Sequence, residues 1–182
     1  MQELSMHVLD IAENSVRAEA GVIRITLVED TGTDTLTLEI DDNGSGMDEE
    51  TLGRALDPFF TTKTVRKIGL GLPLLAHAAH LAGGDFSIES RRGRGTKVLA
   101  HFTLSHIDRQ PVGNMAETMI TLIAGHPSVD FLYRHEKDGR VFVLDPREIK
   151  EELEDIPINH AEVLEFVRRT IIEGLREIES CA

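Results

Sequence analysis

The sequence predicts an α+β fold, a two-layer α/β sandwich in which helices cover one face of a sheet of antiparallel strands. Three observations carry this. Stretches with apolar residues at helical spacing interleave with β-branched runs of period two. The β-branched runs come in pairs joined by short turns. The 182 residues, 41% of them hydrophobic, suffice for one compact domain with a core and a small appended unit.

Leu4, Val8, Ile11, Ala12, Ser15 and Val16 recur at helical spacing, which predicts an amphipathic helix over residues 3–18, ending near Gly21. Asp10 and Asn14 fall on its polar face. Val22-Ile-Arg-Ile-Thr-Leu-Val28 and Thr35-Leu-Thr-Leu-Glu-Ile40 alternate as strands around Asp30-Thr-Gly-Thr-Asp34, a hairpin by composition. The loop Asp41-Asp-Asn-Gly-Ser-Gly-Met47 leads to a short acidic helix start at Asp48. Residues 72–81 read as helix, with Pro73 in the first turn and Gly83-Gly84 as the stop. Phe86–Ser90 and Lys97–Leu104 are strands around a tight Arg91-Arg-Gly-Arg-Gly95 turn. Composition changes near Ile107–Gly113, a linker that divides residues 1–108 from 109–182. Beyond it the sequence predicts a helix over Met115–Ala124 and a hairpin, Val129–His135 with Arg140–Leu144, turned at Asp138-Gly139. Asp145-Pro-Arg-Glu148 starts a further helix. The last helix begins at Asn159 and is expected to bury Val163, Phe166, Val167, Thr170, Ile171, Leu175 and Ile178.

Composition narrows the function classes. Net charge is −13, and the acidity is even: residues 1–108 carry 10 basic and 17 acidic groups, residues 109–182 carry 9 and 15. Sequence-independent binding to nucleic acid or to anionic membranes needs a basic face, so neither partner is expected. The single cysteine, Cys181, cannot form an internal disulfide, and no apolar run is long enough to span a bilayer, so the expected location is cytoplasmic.

Four stretches could carry chemistry. Asp10 and Asn14 stand one helical turn apart on one face, where a carboxylate and an amide could share a metal–water site, or could simply be solvated. Asp42-Asn-Gly-Ser-Gly46 is a glycine-rich turn with one carboxylate, suited to an exocyclic amine of a base or to an ordinary turn. A calcium loop is excluded, because its twelfth position would be Leu52 where a bidentate glutamate is required. Gly69-Leu-Gly71-Leu-Pro73 precedes a helix whose free N–H groups favour phosphate, yet it is neither a P-loop nor a dinucleotide fingerprint. Gly93-Arg-Gly95-Thr96 turns into a strand and offers a hydroxyl.

In this order and on these elements, the four stretches resemble the Bergerat-fold ATP-binding family, the GHKL group of DNA gyrase, heat-shock chaperone ATPases, histidine kinases and MutL. Asp10-Ile-Ala-Glu-Asn14-Ser-Val-Arg-Ala is most similar to the MutL branch; Asp57-Pro-Phe-Phe-Thr-Thr-Lys63 and Gly69-Leu-Gly-Leu72 resemble histidine-kinase catalytic domains. The resemblance covers roughly residues 3–104 and leaves 109–182 without a family. It implies ATP and Mg2+ as cofactors. Asn14 would be the protein ligand to Mg2+. Asp42 would accept from the adenine amine, with Gly44 and Gly46 lining the base and Thr96 assisting through a water. Gly69, Leu70, Gly71 and Leu72 would hold the phosphates. Lys63 would supply counter-charge, and Arg66 and Lys67 would swing toward the γ-phosphate on a lid anchored by Phe59-Phe60. Asp10 would occupy the place of the catalytic glutamate, one methylene shorter, and Lys67 stands where the kinase pattern has a glycine.

Few residues precede the first helix, so a stand-alone domain is expected, without an upstream phosphoacceptor hairpin. His135-Glu136 superficially resembles the acceptor dipeptide but sits at a strand end and reads as a surface histidine; His160, at the last helix start, is a weaker case. The expectation is a Mg-ATP-binding regulatory protein, a kinase transferring the γ-phosphoryl group to a separate protein partner. The alternatives are a non-catalytic, nucleotide-gated switch or a slow ATPase. Residues 109–182 are expected to bind a partner or to form a homodimer.

Overall fold

Period-two alternation decides which way each strand faces, and it settles the layers. A computed structural model describes residues 2–55, 71–153 and 156–180. In chain order the elements are α1 (Leu4–Arg17), β1 (Val22–Asp30), β2 (Thr35–Asp42), α2 (Glu49–Arg54), α3 (Gly71–Leu81), β3 (Phe86–Arg91) and β4 (Gly95–Thr103). Then follow α4 (Met115–Gly125), β5 (Asp130–Lys137), β6 (Arg140–Leu144), α5 (Pro146–Glu152) and α6 (Ala161–Glu177). The strands form one sheet in the order β3-β4-β2-β1-β5-β6, antiparallel throughout except for the parallel pair β1 and β5.

Register stacks the inward residues in rows. Ile25, Ile40, Val98 and Tyr133 lie across from one another, followed by Leu27, Leu38, Ala100 and His135, and then by Glu29, Leu36 and Phe102. All of these are buried. Burying one such Leu or Ile contributes about 2 kcal/mol, so the rows fix the register. The reverse face is polar. Arg24 pairs with Asp41 at 3.3 Å and Lys97 with Glu39 at 3.0 Å, both partly exposed. The sandwich is therefore two-layered, with α1, α3, α4 and α6 packed on the apolar face.

Helix α1 lays Leu4, Val8, Ile11, Ala12 and Ser15 on that face. Its N-cap residue, Glu3, makes no side-chain cap; the first N–H groups, of Leu4 and Ser5, instead donate to the carbonyls of Pro111 and Val112 at 3.0 and 2.8 Å. The expected linker thus caps the first helix. Pro73 costs α3 nothing, since N–H groups in a first turn have no helical partner. Gly84 N–H closes that helix on the Ala79 carbonyl at 2.9 Å.

Three details differ from the sequence reading. The pattern change at residue 108 divides the sequence but not the core: β5 and β6 extend the same sheet, and their buried residues belong to one continuous cluster. The last helix starts at Ala161, and its N-cap, His160, makes no side-chain cap bond. Phe166 is 50% exposed rather than buried. The buried stripe of α6 is Val163, Val167, Ile171, Gly174 and Leu175, and its phase is set where Gly174 meets the Phe142 ring on β6. Phe166 precedes Val167 by one residue and so points about 100° away from that stripe.

Candidate functional site

Alternation along β2 turns Asp42 inward at the end of the row that also holds Ile23, Thr96 and Phe131. It is buried, with 6% exposure, and the protein supplies its carboxylate with donors. Ser15 Oγ donates to Oδ2 at 2.6 Å, Gly44 N–H to Oδ1 at 2.9 Å, and Thr96 N–H to Oδ1 at 3.3 Å. A carboxylate has roughly four acceptor positions, so one on Oδ2 remains for a ligand.

The loop after Asp42 is pinned by its own backbone. Asn43 Oδ1 accepts from the N–H groups of Gly21 and Val22, both at 2.9 Å, and Ser45 N–H donates to the Ala18 carbonyl at 2.7 Å. Glycine is required at 46, where φ is +63° and a Cβ would lie 2.1 Å from the Arg91 carbonyl oxygen; at Gly44 a Cβ would lie 2.7 Å from the Ala18 carbonyl oxygen. What these glycines admit in this structure is the protein's own backbone. A cavity of about 560 Å³ adjoins this end, bordered by Leu52 on α2 and by Ile88, Ser90, Gly95 and Thr96 of the β3–β4 hairpin. Asp41, Glu89 and Lys97 of the polar face also line it.

The second cluster is built by two helices. Asp10 and Asn14 project from adjacent turns of α1, and α3 begins against them. A Cβ on Gly71 would lie 1.9 Å from Asp10 Oδ2 and 3.7 Å from Asn14 Nδ2. A carboxylate and an amide are thus brought to a helix N-terminus, where free N–H groups and the helix dipole favour an anion. Leu72, one residue on, is partly buried against the core. Asn14 Oδ1 accepts from Arg17 Nη1 at 2.9 Å. Arg17 lies 3.9 Å from Glu13, whose Oε1 meets Nε2 of His126, the C-cap of α4, at 2.9 Å. Among the described residues no group of three His, Cys, Asp or Glu side chains could hold a metal ion.

Of the residues expected from the sequence, Asp42, Gly44, Gly46 and Thr96 form one cluster, and Asp10, Asn14, Gly71 and Leu72 the other. Helix α1 serves both, because Ser15 follows Asn14. Lys63, Lys67, Gly69 and Leu70, with Phe59, Phe60 and Arg66, lie outside the described residues. Sequence reading passed over Ser15, Asn43, Ser90 and Arg17. Only Ser15 had a signal, as the one polar member of the apolar stripe of α1.

His135 corrects its expected surface placement, for it is fully buried. Burial pushes the Tyr133 hydroxyl well above its ordinary range, and the Glu29 charge adds to this, so Tyr133 keeps its proton; its oxygen lies 2.6 Å from His135 Nδ1. The Nε2 of that ring faces Glu29 Oε1 at 2.8 Å. Ser180 Oγ donates to the same oxygen at 2.7 Å, and Lys137 Nζ lies 3.9 Å from Oε2.

Residues 2–106 match the family model described as histidine kinase-, DNA gyrase B- and HSP90-like ATPase. Sensor protein kinase FleS of Pseudomonas aeruginosa is 42% identical over 90 residues, which is 49% of this chain and 22% of that protein. Tetrathionate sensor histidine kinase TtrS of Salmonella typhimurium is 32% identical over 89 residues, 47% and 15% respectively. Sporulation kinase E of Bacillus subtilis is 32% identical over 104 residues, 56% and 14%. The chain thus spans under a quarter of the length of these relatives. The crystal structure of an N-terminal domain of a DNA repair protein superposes with a TM-score of 0.55 at 16% identity, over 97% of this chain and 59% of that one, a likeness of fold.

Proposed function

The chain belongs to the histidine kinase-, DNA gyrase B- and HSP90-like ATPases, and from that premise we propose that it is a Mg-ATP-binding regulatory protein that transfers the γ-phosphoryl group to a separate protein. The observation that carries the reading is the convergence of Asp10 and Asn14 on Gly71, where a missing Cβ leaves an anion-favouring helix N-terminus beside a carboxylate. Asp42 accepts the adenine amine on its remaining Oδ2 position, and the N–H groups opening α3 meet the phosphates.

The donor set fits Mg2+. Asn14 Oδ1 would hold it, nucleotide and water would complete its shell, and when bound it would neutralise charge on the phosphates. Arg17 must release that oxygen first. Asp10 orients the acceptor hydroxyl, or takes its proton directly or through a water. Lys63 and Lys67 supply further positive charge. The C-terminal segment binds the partner or a second copy, through a surface that includes Phe166 and Ile172 on α6.

One observation favours a second reading, a nucleotide-gated switch. The chain of contacts from Asn14 through Arg17 and Glu13 to His126 links the metal position to α4 of the C-terminal segment. Incubation with γ-labelled Mg-ATP, tracking free phosphate, protein-bound label and bound nucleotide, separates the two. Release or transfer that Asp10→Asn removes while nucleotide still binds supports the kinase. Binding without turnover, with partner regulation intact in Asp10→Asn, supports the switch, and absence of nucleotide binding by the wild type refutes both.

A further inference from the structure

Ser90 borders the same cavity as Thr96, and its Oγ meets three polar groups. Met47 N–H donates to its Oγ at 2.8 Å, the Gly95 carbonyl oxygen lies at 3.0 Å, and Thr96 Oγ1 lies at 2.9 Å. A hydroxyl has one proton and two lone pairs. The Gly95 carbonyl can only accept, so the Ser90 proton goes there, and Thr96 must be the donor in the Ser90–Thr96 pair. The opposite assignment would leave the Ser90–Gly95 contact without a proton. The Thr96 proton is therefore held toward Ser90, and the Thr96 oxygen offers only lone pairs elsewhere.

Asp42 is set the same way. The Ser15 proton is committed to its Oδ2, two N–H groups occupy Oδ1, and the position left over accepts. Both groups at this end of the cleft, one carboxylate and one hydroxyl, then act as acceptors.

Resting on the adenine-nucleotide reading, we propose that Ser90 is a specificity-determining residue: by holding the Thr96 proton it makes the base-reading surface acceptor-only, matched to a 6-aminopurine and mismatched to a 6-oxopurine. An exocyclic amine donates to Asp42, whereas a carbonyl in its place faces lone pairs. The Thr96 oxygen likewise accepts but does not donate, so a 6-oxo group brought to it meets lone pairs, whereas an amine or a water proton is received. Ser90 acts through Thr96 and is a positioning residue.

Titration calorimetry of the full chain with ADP and with IDP, in Mg2+, tests this. The wild type should prefer ADP on the order of 100-fold, as a site built around a ligand N–H rejects an analogue lacking it. Ser90→Ala frees the Thr96 hydroxyl to turn and donate, and the preference should fall by about tenfold, the equivalent of one neutral hydrogen bond. Ser90→Thr, which keeps the hydroxyl, should retain the preference, and Ser90→Ala should have no effect on it in a Thr96→Ala background. Should Ser90→Ala fail to fold, Ser90→Cys, a weak hydrogen-bonding replacement, should shift the ratio in the same direction by less. Equal weakening of ADP and IDP in Ser90→Ala would make Ser90 a brace for Met47 and Gly95 only and overturn the proposal. A wild type that binds both equally would overturn it while leaving the nucleotide site standing, and one that binds neither would remove the nucleotide reading with it.

Discussion

Two buried carboxylates sit on the same face of the sheet, Asp42 at the end of β2 and Glu29 near the end of β1, and they serve opposite ends. Asp42 receives a hydroxyl from helix α1 and two backbone N–H groups, one from Gly44 in the following loop and one from Thr96 on β4, and keeps one acceptor position. Glu29 is enclosed by His135, Ser180 and Lys137, which tie the end of the last helix to the middle of the sheet. Burial of a charge does not by itself mark a site. The two differ in what adjoins them: Glu29 Oε1 meets donors from β5 and from the chain end beyond α6, whereas the Asp42 end adjoins a cavity bordered by Ser90 and Thr96.

The largest effect expected from breaking this contrast is at Asp42. Asp42→Asn presents an amide where the adenine amine needs an acceptor, and ATP affinity measured by calorimetry should fall roughly 100- to 1,000-fold, while circular dichroism stays that of a folded chain. At the other end, Glu29→Ala strands His135 and Lys137 without their carboxylate. It should cost roughly 2–4 kcal/mol of stability in urea unfolding, with ATP affinity of the folded protein unchanged. If Glu29→Ala instead abolished binding with stability intact, the division between a sealing and a reading carboxylate would be wrong.

Gly71→Ala sharpens the comparison at the other half of the site. The added Cβ meets a movable side-chain oxygen of Asp10 rather than backbone, so the fold should survive and Asp10 should swing aside. Turnover should drop about 10- to 100-fold with a smaller change in nucleotide affinity, as read by single-turnover kinetics against calorimetry.

The smallest effect is a pH dependence of stability at His7. Burial pushes its imidazole below the ordinary value of 6.5, against the hydrogen bond to Gln110, which raises it. The Gln110 carbonyl oxygen accepts from Nε2–H, and Nδ1 is buried without a hydrogen-bond partner among the described residues, so a second ring proton has no acceptor there. The unfolded chain then binds a proton that the folded chain refuses. This contribution is complete above 6.5 and declines as pH falls below it toward the lowered folded value. Urea midpoints at about pH 7.5 and about pH 5.5 should differ in that direction, and His7→Gln should narrow the difference.

Local pattern made much of the molecule legible. Alternation along Val22–Val28 and Thr35–Ile40 gave each strand its inward face before any pairing was known, because period two leaves only two choices and the core takes the apolar one; β2 runs on through Asp42, which the sequence reading placed in a loop. Helical spacing put Asp10 and Asn14 on one face of α1. Phe166 was misplaced because a helix period of 3.6 lets two neighbouring stripes look equally apolar, and only the Phe142 ring against Gly174 chose between them. His135 was misplaced for a related reason. A polar residue in a strand reads as exposed unless its partners are known, and these came from β1 and from beyond α6, 106 and 45 residues away in sequence.

The sequence by itself determined the elements, the buried faces of α1 and of the strands β1 and β2, the acidic surface and the residue types of both clusters, since these follow from periods of 2 and 3.6 and from charge. Tertiary structure decided what no period encodes. It placed β5 parallel to β1, so that residues 109–182 complete the sheet instead of standing apart. It set the first residue of α3, Gly71, against the Asp10 carboxylate. It also brought Ser15 to Asp42 and Ser90 to Thr96, fixing which hydroxyl protons are already committed. The physical reason is common to all three. A contact between distant segments is selected by how the packed core closes, and hydrogen-bond direction is a property of the finished network rather than of any residue within it.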